Sequence, residues 1–116
     1  MSEPVQIAIV DDHPLFREGV AHSLSKHPDL NVIAQGETAD EAVAIAGQHL
    51  PDVMLLDLSL PGGGVNALRK IAVLSPVVKV IMLTVSQDEE DVTAALRGGA
   101  RGYVLKGVAA RELADI

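Results

Sequence analysis

Five short aliphatic runs, Val5 to Val10, Asn31 to Gln35, Val53 to Asp57, Val78 to Thr84 and Gly102 to Leu105, alternate with stretches whose apolar residues recur at helical spacing. The inner runs are apolar on both faces, so each needs cover above and below. Strand and helix in strict alternation, with doubly covered strands, means a parallel sheet between two helical layers. The expected architecture is a doubly wound (βα)5 α/β fold of strand order 2-1-3-4-5.

The helical stretches carry their own punctuation. The first sets Phe16, Val20 and Leu24 on one face, with Pro14 at its start, where a fixed φ is accepted. The second opens on a capping box, Thr38 to Glu41, whose hydroxyl and carboxylate can satisfy two orphan amides, and Pro51 lies just past its end. A third runs from about Val65 to Leu74 with Val65, Leu68 and Ile71 inward. The fourth follows a second capping box, Ser86 to Glu89, turns Val92, Ala95 and Leu96 inward, and stops at Gly98 and Gly99. A fifth begins near Val108 and ends with the chain after about two turns, short against a usual helix of about 11 residues. The pattern predicts that residues 1–116 form one domain, the N-terminal part of a longer chain.

Composition narrows the function. With Phe16 and Tyr103 as the only aromatic residues, the interior is built of aliphatic side chains, and with no cysteine neither a disulfide framework nor a thiolate metal site is available. The N-terminus lacks the regions of a signal peptide, and no apolar run approaches the roughly 18 residues of a membrane span, so a cytoplasmic location is expected. A formal net charge of −7 repels nucleic-acid backbones and argues against direct nucleic-acid binding by this segment. A partner surface should be basic or apolar.

The strand ends carry the chemistry. Asp11 and Asp12 follow the first run, Asp57 and Thr84 end the third and fourth, and Lys106 follows the fifth. In a 2-1-3-4-5 sheet the first and third strands flank the topological switch point, so the three acids meet across it. Adjacent acids after a strand are often a solvated turn, but a carboxylate directly after Val-Met-Leu-Leu is costly to bury without a cation or donors. Three clustered carboxylates suit magnesium, a hard cation that takes oxygen ligands. Thr84 adds a donor and Lys106 a compact cation for phosphoryl oxygens.

These segments, DDHPLFREGV, LLDLSLPGGG, MLTVSQDEED and ARGYVLKG, resemble the receiver domain of two-component response regulators of the NarL/FixJ type, over essentially the whole chain. The resemblance implies a flavodoxin-like sheet and a phosphoacceptor, Asp57, charged by a sensor histidine kinase. It implies magnesium held by Asp11, Asp12, Asp57 and the backbone carbonyl of Ser59. Thr84 and Lys106 would bind and read the phosphoryl group, and Tyr103 would follow Thr84. The domain would assist its own phosphorylation and dephosphorylation without being a turnover enzyme. The implied output is a surface around the fourth and fifth helices that controls dimerisation and a C-terminal helix-turn-helix DNA-binding domain, which makes the parent a transcriptional regulator.

Three departures stand out: Gly107 where many receivers have proline, a Gly62-Gly63-Gly64 loop one residue shorter than usual, and a bulky Val85 after Thr84 that could narrow access to the acyl phosphate. The four histidines show no metal-ligand spacing and read as surface or turn residues, with a partner contact open for His13. Two other classes stay open. A haloacid-dehalogenase-like phosphatase has its nucleophile after the first strand and a second Asp two positions later, where this chain has His13. A receiver-like interaction module without phosphorylation would have no need of the complete set of acids, threonine and lysine. A flavodoxin-like electron carrier fits least, for want of a phosphate cradle and flavin-stacking aromatics.

Overall fold

The structure, a computed structural model of the 116-residue chain, describes residues 3–85 and 89–106. The described elements run β1 (Val5–Val10), α1 (Pro14–Ser25), β2 (Leu30–Gly36), α2 (Ala39–His49), β3 (Val53–Asp57), α3 (Gly64–Leu74), β4 (Lys79–Thr84), α4 (Glu89–Gly98) and β5 (Gly102–Leu105). All five strands are parallel, as the alternation predicts, and they stand in the expected order β2-β1-β3-β4-β5. The Ser86 to Glu89 capping box, the fifth helix and the Lys106–Gly107 bond fall wholly or partly outside the described residues.

Side chains that alternate across a strand reach opposite faces, and here that splits the core in two. Ala8, Val10, Met54, Leu56, Val80 and Met82 meet Ala42, Ala46, Leu68, Ile71 and Ala95 from α2, α3 and α4. Ile7, Ile9, Leu55 and Leu83 on the other face meet Val20 and Leu24 of α1. Phe16 is only partly buried at that helix's first turn.

The helix ends follow local rules. Thr38 Oγ1 accepts the Glu41 amide at 3.1 Å, and the Glu41 carboxylate accepts the amide of Glu37 at 3.4 Å. Two orphan donors are met, although the second belongs to the residue before the cap. At the other end Leu50 takes a left-handed φ of 44°, and Pro51 then prevents continuation.

Two inward faces differ from expectation. On α3 the buried set is Gly64, Ala67, Leu68 and Ile71, with Val65 only partly buried. Gly64 sits so close to the end of β3 that a Cβ there would lie 2.5 Å from the Asp57 carbonyl oxygen, and this approach turns the small-residue side of the helix inward. On α4 the buried residue is Ala95, which leaves Leu96, one helical step round, 53% exposed.

Candidate functional site

β1 and β3 are neighbours, so what leaves their carboxyl ends meets. Asp11 is 0% exposed and Asp57 1%. The turn after β1 is held from two elements, β2 and α1. Asp11 donates its amide to the Gly36 carbonyl at 3.0 Å, and its own carbonyl accepts Arg17 Nη1 at 2.7 Å. Arg17 in turn reaches Gln35 Oε1 and Glu37 Oε1, each at 3.2 Å.

Asp57 is fixed by its own loop. The Ser59 amide donates to Oδ1 at 3.2 Å and the Ser59 hydroxyl lies 3.1 Å from both carboxylate oxygens. The Leu58 amide donates to the Leu83 carbonyl at 2.9 Å, tying the start of that loop to β4. Gly62 and Gly63 then take φ values of 91° and 94°, which supplies the turn that the short glycine loop needs.

Lys106 crosses from the end of β5 to the same point. Its Nζ is 2.9 Å from Asp11 Oδ2 and 3.4 Å from Asp57 Oδ2, and it stands 5.0 Å from the Phe16 ring centroid, within cation–π range. Thr84 is buried at the end of β4, paired in register with Leu105. Tyr103 on β5 is partly buried against the core face that holds Met82. The expected residues therefore share one sheet edge, and Asp11, Asp12, Asp57 and Lys106 form its charged centre.

The donor set suits a hard cation. Asp11 Oδ2 and Asp12 Oδ1 are buried oxygens that accept no hydrogen bond. Asp11 Oδ2 is ion-paired with the Lys106 ammonium at 2.9 Å. One ammonium facing three clustered carboxylates leaves net negative charge in a partly buried place, and a divalent ion among Asp11, Asp12 and Asp57 would neutralise it.

The sequence reading of His13 as a surface or turn residue is incomplete. His13 is the residue before α1, and its ring turns back over the strand end. Its Nδ1 lies 2.8 Å from Asp11 Oδ1, 3.3 Å from Asp12 Oδ1, 3.7 Å from Asp57 Oδ2 and 3.0 Å from Lys106 Nζ. Spacing to other histidines gave no hint of this. The signal was adjacency to an acidic pair at a strand-to-helix junction.

Beside Asp12 opens a hollow of about 640 Å³, lined also by His13, Leu15, Phe16, Val85 and Lys106 among others. Val85 is 81% exposed on its rim, so its bulk stands beside the entrance.

The model of the response regulator receiver domain matches residues 7–116. The chain is a response regulator receiver domain. Among its relatives, the transcriptional regulatory protein DegU of Brevibacillus brevis is 43% identical over 112 residues, covering 96% of this chain and 48% of that protein. The nitrate/nitrite response regulator protein NarL of Escherichia coli K12 is 38% identical, covering 96% of this chain and 52% of its own. The receiver domain thus spans about half the length of these curated relatives. In structure it is similar to the signal receiver domain of a response regulator designated NarL from Mycobacterium tuberculosis, with a TM-score of 0.92, 33% identity and coverage of 98% of this chain and 93% of that one. It is a receiver of the NarL/FixJ type, with the flavodoxin-like fold, and receivers of this kind are phosphoacceptor switches in two-component systems. Among the described residues no helix is long and apolar enough to cross a membrane.

Proposed function

We propose that Asp57 accepts a phosphoryl group from the phosphohistidine of a sensor histidine kinase. The observation that carries this is a carboxylate 1% exposed, met on its two oxygens by Ser59 and approached by Lys106, which itself lines an open hollow with Asp12. An Asp57 oxygen attacks phosphorus as the P–N bond breaks, and the departing imidazole nitrogen takes up a proton. The product is an acyl phosphate on Asp57. Lys106 lies where its ammonium can stabilise the transferring oxygens. Asp11, Asp12, Asp57 and the Ser59 carbonyl would hold magnesium, which supplies charge neutralisation to the phosphoryl group when bound.

After transfer, the new dianion draws in the Thr84 hydroxyl, and Tyr103 on the adjacent strand follows. Slow hydrolysis at the same site resets it. The relatives are about twice as long, and the names DegU and NarL carry mark a transcriptional regulatory protein and a response regulator. We therefore assign residues 1–116 as the N-terminal receiver of a cytoplasmic transcriptional regulator whose dimerisation and C-terminal DNA-binding domain it controls.

The test is phosphorylation of the 116-residue chain by acetyl phosphate with magnesium, with the modified residue mapped by mass spectrometry after borohydride reduction. One phosphoryl group on Asp57 is expected, and none in Asp57→Ala. Undiminished labelling of that variant overturns the assignment.

A further inference from the structure

We propose that His13 is a ligand of the divalent cation this site holds, and that its nitrogen biases the site toward first-row transition ions such as manganese and cobalt over magnesium. The inference rests on the reading of Asp11, Asp12 and Asp57 as a cation site. It adds a ligand of a different chemistry.

The ring has two available roles, set by its tautomer. With its proton on Nδ1 it donates to Asp11 Oδ1, 2.8 Å away; with its proton on Nε2 the Nδ1 lone pair faces the acids and can bind an ion held among them. Neighbouring ligands of an octahedral ion with bonds of about 2.1 Å stand about 3 Å apart along an edge and about 4.2 Å apart across the centre. His13 Nδ1 stands 2.8, 3.3 and 3.7 Å from one oxygen of each acid, and one ligand atom from each of the four residues lies within 4.8 Å of the others. That is the spacing of vertices around a common centre. Of these vertices Asp12 Oδ1 is a buried oxygen that accepts no hydrogen bond, and Asp11 is completely buried.

The backbone holds the ring in position. The His13 amide donates to Asp11 Oδ1 at 2.8 Å, and Pro14 follows as the first residue of α1, so the junction between strand and helix is short and constrained. The side chain is 59% exposed, which leaves room for the small rotation that would aim its lone pair. In the tautomer protonated on Nε2, Nδ1 carries that lone pair. Magnesium gains little from imidazole, whereas affinity for nitrogen rises along the series from manganese through cobalt.

Pulsed electron paramagnetic resonance of manganese bound to the untagged 116-residue chain reads the contact directly. Nitrogen hyperfine coupling from a bound imidazole is expected in the parent and absent in His13→Ala. Calorimetric titrations supply the second arm: His13→Ala should weaken cobalt binding roughly tenfold or more and magnesium binding by less than about twofold. Manganese bound without nitrogen coupling overturns the proposal, as does an equal loss of cobalt and magnesium affinity, which would make His13 a residue that only shapes the turn. Failure of the parent chain to bind any of the three ions would instead overturn the cation-site reading itself.

Discussion

β3 and β5 each deliver a charged residue to the site, yet they are built differently. β3 pairs with β1 and β4, and four of its five residues are buried. β5 pairs with β4 alone, and all four of its residues are only partly buried. Local opening free energy follows burial and pairing, so the strand that carries Asp57 is a fixed wall and the strand that carries Tyr103 and leads to Lys106 is a yielding one. A switch needs both. The acceptor must hold its geometry through transfer, while the groups that respond to the phosphoryl group must have somewhere to go.

The contrast breaks most severely at Gly64. A Cβ there would stand 2.5 Å from the Asp57 carbonyl oxygen, 2.6 Å from that of Leu58 and 2.7 Å from the Leu58 Cα, all of them backbone atoms that cannot swing aside. Gly64→Ala should cost about 3 kcal/mol or more of stability, and it should displace the acceptor loop enough to slow labelling of Asp57 in whatever fraction stays folded. Urea denaturation and acetyl phosphate kinetics measure the two effects. A variant as stable and as reactive as the parent would show that the wall is not fixed at this point.

Truncations to alanine in the two strands, three carbons at Leu56 and two at Val104, sharpen the comparison. Leu56 on β3 is completely buried, whereas Val104 on β5 is partly buried beside the other core face. Leu56→Ala should cost about 3 kcal/mol and Val104→Ala about 1 kcal/mol, read from urea midpoints at constant slope. Comparable losses would mean that β5 is as tightly held as β3.

The fixed half of the molecule was also the more legible half. Aliphatic runs separated by helical periods dictated a parallel, doubly covered sheet, and in such a sheet of order 2-1-3-4-5 Asp11, Asp12 and Asp57 converge. What escaped depended on distances of an ångström or two. The inward face of α3 follows from how closely Gly64 approaches the end of β3, and no periodicity reports that. Leu96 lies outward because α4 is centred on Ala95, and a small residue reads as weakly inward in any pattern of hydrophobicity. His13 was the larger omission. Its neighbours in sequence are the acids themselves, but whether a ring at a strand-to-helix junction faces solvent or the site is decided by one turn's dihedral angles.

The smallest expected effect tests the link between the two halves. Lys106 is the ammonium that reaches from the end of β5 to Asp11 and Asp57, with its side chain only 9% exposed. It offsets part of the charge of three acids, and by standing 2.9 Å from Asp11 Oδ2 it competes with any divalent ion for that oxygen. Two consequences of opposite sign follow for Lys106→Ala. Without a divalent ion the variant should melt at lower temperature, because the acids then repel one another with less compensation. Its affinity for magnesium should rise about three- to tenfold, since a unit positive charge a few ångströms from the ion is removed while water enters in its place and screens the charges that remain. Saturating magnesium should therefore recover most of the lost melting temperature. Differential scanning calorimetry with and without magnesium, beside a calorimetric titration, reads both. Weaker magnesium binding by Lys106→Ala would mean that the lysine holds the acids in place for the ion, and the yielding strand would then be part of the wall.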